Sequence, residues 1–247
     1  MGHRGAVVAV DISTDKSFIV SGSRDNTTQI WRIDLTSGRY MKAQLFKHHK
    51  EEVTSVIISN DMTTIISSSK DKKIAIWKIY EKSEKNSKKN PTSIEDENPH
   101  STLKTKKYVL AQELHGHTNM VNGVCLSLNN KFIVSCSADN SIKKWRFYYE
   151  EEKSIWEEIL CHHTEPVLCL CMSIDDSIII SGSEDASLVV WGSEGVGSSH
   201  DMVIQLVGHL AAVICVAISN DKKIILSGSM DSTIKIWSGG DETYGLK

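Results

Sequence analysis

The sequence predicts an all-β protein built from five copies of one unit of about 46 residues. A histidine, a serine, an aspartate and a tryptophan recur in the same order and at the same spacing in each copy. Short segments rich in Val, Ile and Leu lie between them, and polar clusters typical of turns separate these segments. No segment has the apolar spacing of a long amphipathic helix, so an array of short strands is the predicted architecture.

The four recurring residues define the unit. The aspartate follows the histidine by 22 positions, the serine precedes the aspartate by four, and the tryptophan follows the aspartate by six. In chain order the sets are His3, Ser21, Asp25, Trp31; His49, Ser67, Asp71, Trp77; His117, Ser135, Asp139, Trp145; His163, Ser181, Asp185, Trp191; and His209, Ser227, Asp231, Trp237. A fixed period of this size indicates stacked units that bury their apolar faces against one another. We therefore predict one array over residues 1–247, with repeats at 2–47, 48–80 plus 107–115, 116–161, 162–207 and 208–247.

The last copy shows how one unit predicts four strands. Residues 213–217, 224–226 and 233–237 are short apolar or alternating segments separated by polar clusters that favour turns. The segment before a repeat's histidine, such as 203–207, supplies the fourth strand. Strands dense in Val, Ile and Leu without clean alternation are covered on both faces. Four short antiparallel strands per unit, repeated along the chain, are typical of the blades of a β-propeller.

Composition and charge argue against several functional classes. With 40% hydrophobic residues, 24% charged residues and a net charge of −3, the chain lacks the overall positive charge of a general nucleic-acid binder. We predict no sequence-specific nucleic-acid partner. No apolar run approaches the roughly 20 residues that span a bilayer, and the first residues lack the apolar segment of a signal peptide. We therefore predict no membrane partner and a cytoplasmic location, with the nucleus as the alternative.

The six cysteines are predicted to be structural rather than metal-binding. Cys125, Cys169, Cys171 and Cys215 lie within apolar strand segments, where a free thiol behaves as a small hydrophobe. Cys161 adjoins a pair of histidines, but the chain has no CxxC pair. We predict no metal site and no cofactor.

The openings of the repeats, together with the recurring set, resemble the WD40 family. Gly-His pairs open the copies at 2–3, 116–117 and 208–209, and His-His pairs replace them at 48–49 and 162–163. Every copy has a Ser-x-Ser-x-Asp element and a closing tryptophan, so the resemblance covers the chain apart from one insertion and the last few residues. The aspartate of the Trp-Asp pair that names the family is replaced in every copy, by Arg32, Lys78, Arg146, Gly192 and Ser238.

In WD40 proteins the four recurring residues form a hydrogen-bonded tetrad, and the resemblance implies the same arrangement here. The indole N–H donates to the serine, the serine meets the histidine, the histidine meets the aspartate, and the aspartate caps a tight turn. Such a network satisfies buried polar groups where water is excluded. Serine, histidine and aspartate also form hydrolase triads, but a catalytic site does not need five copies. We expect a structural role and predict no enzymatic activity; the alternative is a small-molecule enzyme with its site in the central channel.

The copies differ in their turns, which form the candidate partner-binding face. In this family the turn between the second and third strands and the loop before the first strand emerge on one face, where partners often bind. The residue before the tetrad aspartate varies along the chain, as Arg24, Lys70, Ala138, Glu184 and Met230. With Leu210 in the neighbouring loop of the last copy, these residues predict an acidic peptide over the first two blades and an apolar anchor towards the fifth. The alternative is that these turn residues vary without selection.

Two copies depart from the pattern. The second carries an insertion at 81–106, which we predict to be disordered because it has little apolar surface to bury. It is either a tolerated surface insertion or a docking arm. In the third copy, Lys144 replaces the Ile or Val that precedes the tryptophan elsewhere, so it must extend to solvent or meet an acid. The aromatic residues at 147–149 and 156 are either interface anchors or packed strand residues.

The array is predicted to be incomplete. WD40 propellers usually close with seven blades, and only ten residues follow Trp237. At the spacing of the other copies these ten residues are too few, so the last blade is predicted to lack its outer strand. The chain would then be part of a seven-bladed propeller, pair with another chain that completes the ring, or close as five blades.

The favoured function is a non-catalytic scaffold or adaptor that presents the loop faces of a propeller to proteins or peptides. The alternative is a regulatory or targeting segment of a larger protein, such as a ubiquitin-ligase adaptor or a signalling or ribosome-assembly component. In that case the activity lies in other sequence, and sequence flanking the chain would separate the two hypotheses.

Overall fold

The computed structural model describes residues 2–34, 36–80, 107–148, 153–193, 199–240 and 243–246. Within these ranges the chain forms twenty strands in five four-stranded sheets and no helix. The all-β fold class and the five blades predicted from the repeats are confirmed. The insertion predicted at 81–106 and the residues at 149–152 lie outside the described ranges. No helix long and apolar enough to cross a membrane occurs in the described part of the chain.

Each blade contains four consecutive strands. The first blade has β1 (Val7–Ile12), β2 (Phe18–Ser23), β3 (Thr28–Ile33) and β4 (Tyr40–Phe46). The second has β5 (Val53–Ile58), β6 (Thr64–Ser69), β7 (Ile74–Tyr80) and β8 (Lys107–Leu114). The third has β9 (Val121–Leu126), β10 (Phe132–Ser137), β11 (Ser141–Tyr148) and β12 (Lys153–Cys161). The fourth has β13 (Val167–Met172), β14 (Ile178–Ser183), β15 (Ser187–Gly192) and β16 (Asp201–Val207). The fifth has β17 (Val213–Ile218), β18 (Ile224–Ser229), β19 (Ile234–Gly240) and β20 (Thr243–Leu246).

All neighbouring strands within a blade pair antiparallel and follow chain order across the sheet. The turn between the second and third strands places the residue after the tetrad aspartate in the left-handed region in every blade. These residues are Asn26, Lys72, Asn140, Ala186 and Ser232. Left-handed backbone is unfavourable for most side chains, so the turn needs other stabilisation, and the aspartate side chain supplies it.

Apolar clusters join each blade to the next among the described residues. Between the first and second blades, Val20 and Ile30 pack against Val53, Ile65 and Trp77. Corresponding clusters join the second blade to the third, the third to the fourth and the fourth to the fifth. Full burial of one aliphatic side chain contributes roughly 1.5–3 kcal/mol. The blades are therefore held together mainly by sheet-on-sheet packing.

The fifth blade has an outer strand, so the prediction that this strand is missing is wrong. Strand β20 pairs with β19, from Gly240 opposite Thr243 to Trp237 opposite Leu246. The connection between the strands is short, which is why so few residues after the tryptophan suffice. Tyr244 is buried in this strand, and its hydroxyl donates to the carbonyl of Lys222 at 2.5 Å.

The same tyrosine contact occurs in two other blades. Tyr40 on β4 donates to the carbonyl of Lys16, and Tyr108 on β8 donates to the carbonyl of Met62. In all three blades the acceptor belongs to a left-handed residue in the turn between the first and second strands. The tyrosine therefore ties the outer strand to that turn, and Tyr244 identifies β20 as a true outer strand.

The two ends of the array are uncovered. The inner strands β1, β5, β9, β13 and β17 contact one another in succession, and no comparable contact joins β17 to β1 in the described residues. Val10 and Ile12 on β1 are exposed, as are Leu226 on β18 and Ile236 on β19. The five described blades thus form an open arc with one apolar face at each end.

Candidate functional site

The four recurring side chains of each blade meet in one hydrogen-bonded chain. In the third blade, Trp145 Nε1 donates to Ser135 Oγ at 2.8 Å, and His117 Nε2 lies 2.8 Å from the same oxygen. His117 Nδ1 lies 2.9 Å from Asp139 Oδ2. An ionised carboxylate only accepts hydrogen bonds, so Nδ1 carries the proton and donates to Asp139. In the neutral ring, Nε2 then accepts the serine hydroxyl.

All five blades repeat this geometry. The tryptophan-to-serine distances lie between 2.8 and 3.1 Å. The serine-to-histidine distances lie between 2.8 and 2.9 Å, and the Nδ1-to-Oδ2 distances lie between 2.8 and 3.0 Å. Since each net hydrogen bond is worth roughly 1 kcal/mol and a stranded buried partner costs about 1–3 kcal/mol, the set acts as a cross-link within the blade.

The tetrad aspartate also fixes the two loops beside it. Asp139 Oδ2 accepts the backbone N–H of Thr118, and Oδ1 accepts the backbone N–H of Ser141. The Ser141 hydroxyl donates to Oδ1 at 2.6 Å. Thr27, Ser187 and Thr233 make the same hydroxyl contact in three other blades, and the second blade has Lys73 at this position. Sequence reasoning missed this fifth residue, although a hydroxyl two positions after the aspartate recurs in four copies.

These contacts hold the tetrad carboxylates in their ionised form. Burial raises the pKa of Asp71, but hydrogen bonds from His49 and from the backbone N–H groups of Lys50 and Lys73 outweigh burial and lower the pKa to about 2. Burial is likewise outweighed by hydrogen bonds at Asp25, Asp139 and Asp185, whose pKa values lie below the usual range. At Asp231 the Thr233 hydroxyl is the main cause of the lowered pKa.

The serine of the tetrad has a geometry that suits structure rather than nucleophilic attack. Ser67, Ser135, Ser181 and Ser227 have no exposed surface, and each accepts an indole N–H. A catalytic serine must reach a substrate carbonyl, which a buried and doubly engaged hydroxyl cannot do. The Ser–His–Asp arrangement therefore cross-links strands in every blade. In the described residues, no group of three His, Cys, Asp or Glu side chains could hold a metal ion.

The structure brings together the two loops of the candidate partner-binding face in each blade. The backbone N–H of the residue before the aspartate donates to the loop before the first strand. The pairs are Arg24 to Ala6, Lys70 to Glu52, Ala138 to Met120, Glu184 to Pro166 and Met230 to Ala212, at 2.9 to 3.0 Å. Five equivalent hydrogen bonds mean that the backbone of this face is regular and only its side chains vary.

The side chains of this face differ sharply in exposure and charge. Leu210 is 92% exposed and Met230 is 67% exposed, whereas Ala138 is buried. Glu52 Oε2 lies 3.5 Å from Arg24 Nε and 3.0 Å from Lys70 Nζ. One carboxylate thus bridges the two cations, so this end of the face is less basic than the two residues alone indicate.

The unusual lysine of the third blade meets an acid inside the protein. Lys144 is buried, with its Nζ 3.6 Å from Glu158 Oε2 and 3.3 Å from His200 Nδ1. The ammonium also lies 4.6 Å from the centre of the Phe132 ring. The backbone N–H of His200 donates to Glu158 Oε1 at 2.6 Å, so this cluster joins the third and fourth blades. The structure does not describe the side chains of residues 147, 148 and 156.

Comparison with known proteins gives one family. The family model described as WD domain, G-beta repeat, matches residues 1–32, 41–78, 108–146, 156–192 and 201–238, one match for each blade. No curated protein matches the chain.

Proposed function

Because the chain belongs to the WD40 family, whose propellers are generally non-catalytic domains that bind proteins or peptides, we propose that it is a non-catalytic adaptor. In this proposal the paired loops of each blade present side chains to a protein or peptide partner. The tetrads hold those loops in place and take no part in recognition. The adaptor acts in the cytoplasm or the nucleus, which the six free thiols support because reducing compartments keep cysteines in that form.

The observation that carries the proposal is the apolar pair on the fifth blade. Leu210 and Met230 are large, highly exposed and mounted on loops joined by the hydrogen bond from Met230 to Ala212. Exposed apolar residues on a rigid backbone are typical anchors of a binding surface, because little conformational entropy is lost when a partner covers them. Methionine adapts to different partner shapes.

The charged side chains along the partner-binding face influence which residues are favoured in the rest of the peptide. Glu52 offsets one of the two positive charges of Arg24 and Lys70, which leaves a weak basic region over the first two blades. Glu184 is exposed on the fourth blade and repels acidic partners there. We expect a peptide with an apolar residue over the fifth blade and a modest preference for acid over the first two.

A peptide selection tests the proposal. Random twelve-residue peptides displayed on phage are selected against the purified chain, and the affinities of the selected peptides are measured. We expect peptides whose affinity falls at least tenfold in the double variant Leu210→Asp with Met230→Asp. The matched control is Met202→Asp with Val207→Asp, because these residues are exposed apolar residues on the outer strand β16. Equal loss in both double variants, or no selected peptide, would contradict the proposal.

A second candidate function is favoured by the open ends of the array. In this alternative the chain is a regulatory or targeting segment of a larger protein, such as a ubiquitin-ligase adaptor or a signalling or ribosome-assembly component. Ile234 is 77% exposed and Val10 is 67% exposed, as expected for faces that further blades cover. Isolating the protein from its source and measuring its mass tests this candidate: a mass near 27.5 kDa with no bound partner counts against it.

A further inference from the structure

The first blade contains a cavity beside its tetrad, and His3 and Asp25 form part of the wall. Its volume is about 660 Å³, and it lies between β3, β4 and the residues that open the first repeat. The lining residues that bear on its chemistry are Gly2, Arg4, Gln29, Lys42, Leu45 and Lys47. The cavity therefore has three cationic side chains at its rim, and the tetrad carboxylate of Asp25 and the amides of Asn26 and Gln29 also line it.

The second blade shows what occupies the corresponding place there. Glu113 on β8 pairs across the sheet with Ala75, as Leu45 on β4 pairs with Gln29. Lys73 Nζ lies 3.0 Å from Glu113 Oε2, and His115 Nε2 lies 2.9 Å from the same oxygen. Three cationic or imidazole groups surround this carboxylate, since His48 also contacts it. The second blade thus carries its own acid in a basic pocket.

The first blade lacks the acid and keeps only one of the three basic positions around it. Leu45 stands in place of Glu113 and Lys47 in place of His115, whereas Thr27 and Gly2 replace Lys73 and His48. Gly2 has no side chain to fill the space. Arg4, Lys42 and Lys47 are exposed and form no salt bridge with any described residue. The first blade therefore has three exposed cations, Arg4, Lys42 and Lys47, beside a cavity and no acid at the position of Glu113.

Gln29 adds a buried amide that the described residues do not fully pair. Its side chain is 2% exposed, and its Nε2 lies 3.2 Å from His3 Nδ1. Its amide oxygen is buried and has no hydrogen-bond partner among the described residues. Buried polar atoms are nearly always paired, and His3 Nδ1 already donates to Asp25, so a bound polar group or water can pair with this amide.

We propose that this cavity binds an acidic residue of a peptide partner. The carboxylate of a Glu or Asp side chain meets Arg4, Lys42 and Lys47, and a peptide N–H donates to Gln29 Oε1. The inference rests on the proposed adaptor function and deepens it, because it assigns a second contact on the first blade. The cavity is separate from Leu210 and Met230, so the two sites are tested by different variants.

The direct test uses a defined peptide probe. Fluorescein-labelled octapeptides of alternating Ser and Glu, or of alternating Ser and Gln, are titrated with the full chain in a fluorescence anisotropy assay at low salt. We expect the Glu peptide to bind at least tenfold more tightly, and salt to weaken it because exposed charges are screened. Equal affinities for the two peptides would overturn the proposal.

A pair of cavity variants distinguishes occupancy from damage to the fold. Leu45→Glu places the carboxylate of the second blade in the first, so we expect it to occupy the cavity and to weaken Glu-peptide binding at least tenfold. Leu45→Gln has the same shape as Leu45→Glu but no charge, and a glutamine, Gln205, occupies this position in the fourth blade. We therefore expect this variant to bind the Glu peptide almost as tightly as the wild-type chain does. Equal binding by both variants would overturn the assignment.

Charge variants and small competitors separate the remaining alternatives. Lys42→Glu with Lys47→Glu should reduce Glu-peptide affinity at least tenfold, while Lys131→Glu, an exposed lysine on the third blade, should not. Displacement of the peptide by acetate at millimolar concentrations would overturn the peptide assignment in favour of a small carboxylate. If the cavity variants no longer bind the Glu peptide but phage selection yields no peptide whose affinity depends on Met230, the acid-binding cavity is supported and the proposed apolar anchor is contradicted.

Discussion

Interior and terminal blade faces carry the same apolar side chains, but only the interior faces are covered. Ile74 and Ile76 on β7 are 1% and 0% exposed because the third blade packs on them. Their equivalents on β19, Ile234 and Ile236, are 77% and 44% exposed. The difference shows that the apolar pattern of a repeat specifies a face that can be buried, whereas burial itself depends on a neighbouring blade.

The same contrast appears at the other end of the array. Val56 on β5 is 4% exposed under the first blade, whereas its equivalent on β1, Val10, is 67% exposed. The two ends therefore present the two complementary halves of an ordinary interface between blades. Exposed strands and apolar patches of this kind are places where another chain or another blade associates.

The largest expected difference is between an interior and a terminal tryptophan. Trp191 is buried between the third and fourth blades, so Trp191→Ala should cost about 3–5 kcal/mol of unfolding free energy. Trp31 in the first blade is only half-buried, so Trp31→Ala should cost less. Urea unfolding followed by circular dichroism measures both values. Equal losses would show that the first blade is covered in solution.

A smaller difference is expected between equivalent isoleucines. Ile76→Ala should cost about 2–5 kcal/mol because it leaves a cavity between the second and third blades. Ile236→Ala should cost less than about 1 kcal/mol, because its side chain is already partly in water. The same urea experiment provides the values. A large loss at Ile236 would mean that β19 is covered in the solution state.

The tetrad carboxylates give the stability a defined dependence on pH. The pKa of Asp71 is about 2 in the folded chain, below the value of 3.8 for a free side chain, so the ionised form stabilises the fold. This contribution of about 2 kcal/mol is fully present above pH 4 and is lost as the pH falls through about 2. Asp71→Asn should therefore destabilise the chain at pH 7 and make little difference near pH 2.

The control for this experiment is Asp201→Asn, which neutralises an exposed aspartate on β16. Urea unfolding should separate the two variants by about 2 kcal/mol at pH 7 and by less than about 1 kcal/mol at pH 2.5, where the folded carboxylate is only partly protonated. A loss of stability by Asp71→Asn that is the same at both pH values would contradict the role of the ionised carboxylate.

Much of the fold follows from the repeat. Histidine, serine, aspartate and tryptophan recur at constant spacing because the turns between strands have constant length, and the structure joins these residues by hydrogen bonds in every blade. The outer strand β20 was missed because the other copies have longer connections between third and fourth strands. Tyr244 was the available signal, since Tyr40 and Tyr108 occupy comparable positions on outer strands.

The surfaces were harder to predict because they depend on contacts between residues of different blades. Glu52 belongs to the second repeat but approaches Arg24 of the first, and this contact lowers the basic character that the turn residues alone indicate. Leu45 and Glu113 occupy equivalent positions in the first and second blades, and this equivalence likewise follows from the strand register. The spacing of residues in the sequence predicts the strands and turns, whereas the pairing of charged side chains can be read only from the folded structure.

The most direct test of the contrast between covered and uncovered faces is the solution mass, measured by light scattering for the wild-type chain and for one double variant. The uncovered faces should make the wild-type chain associate above 27.5 kDa, and the double variant Ile234→Lys with Ile236→Lys should return to a 27.5 kDa monomer with an unchanged melting temperature. A wild-type chain that stays at 27.5 kDa at all concentrations and binds no hydrophobic dye would contradict the account.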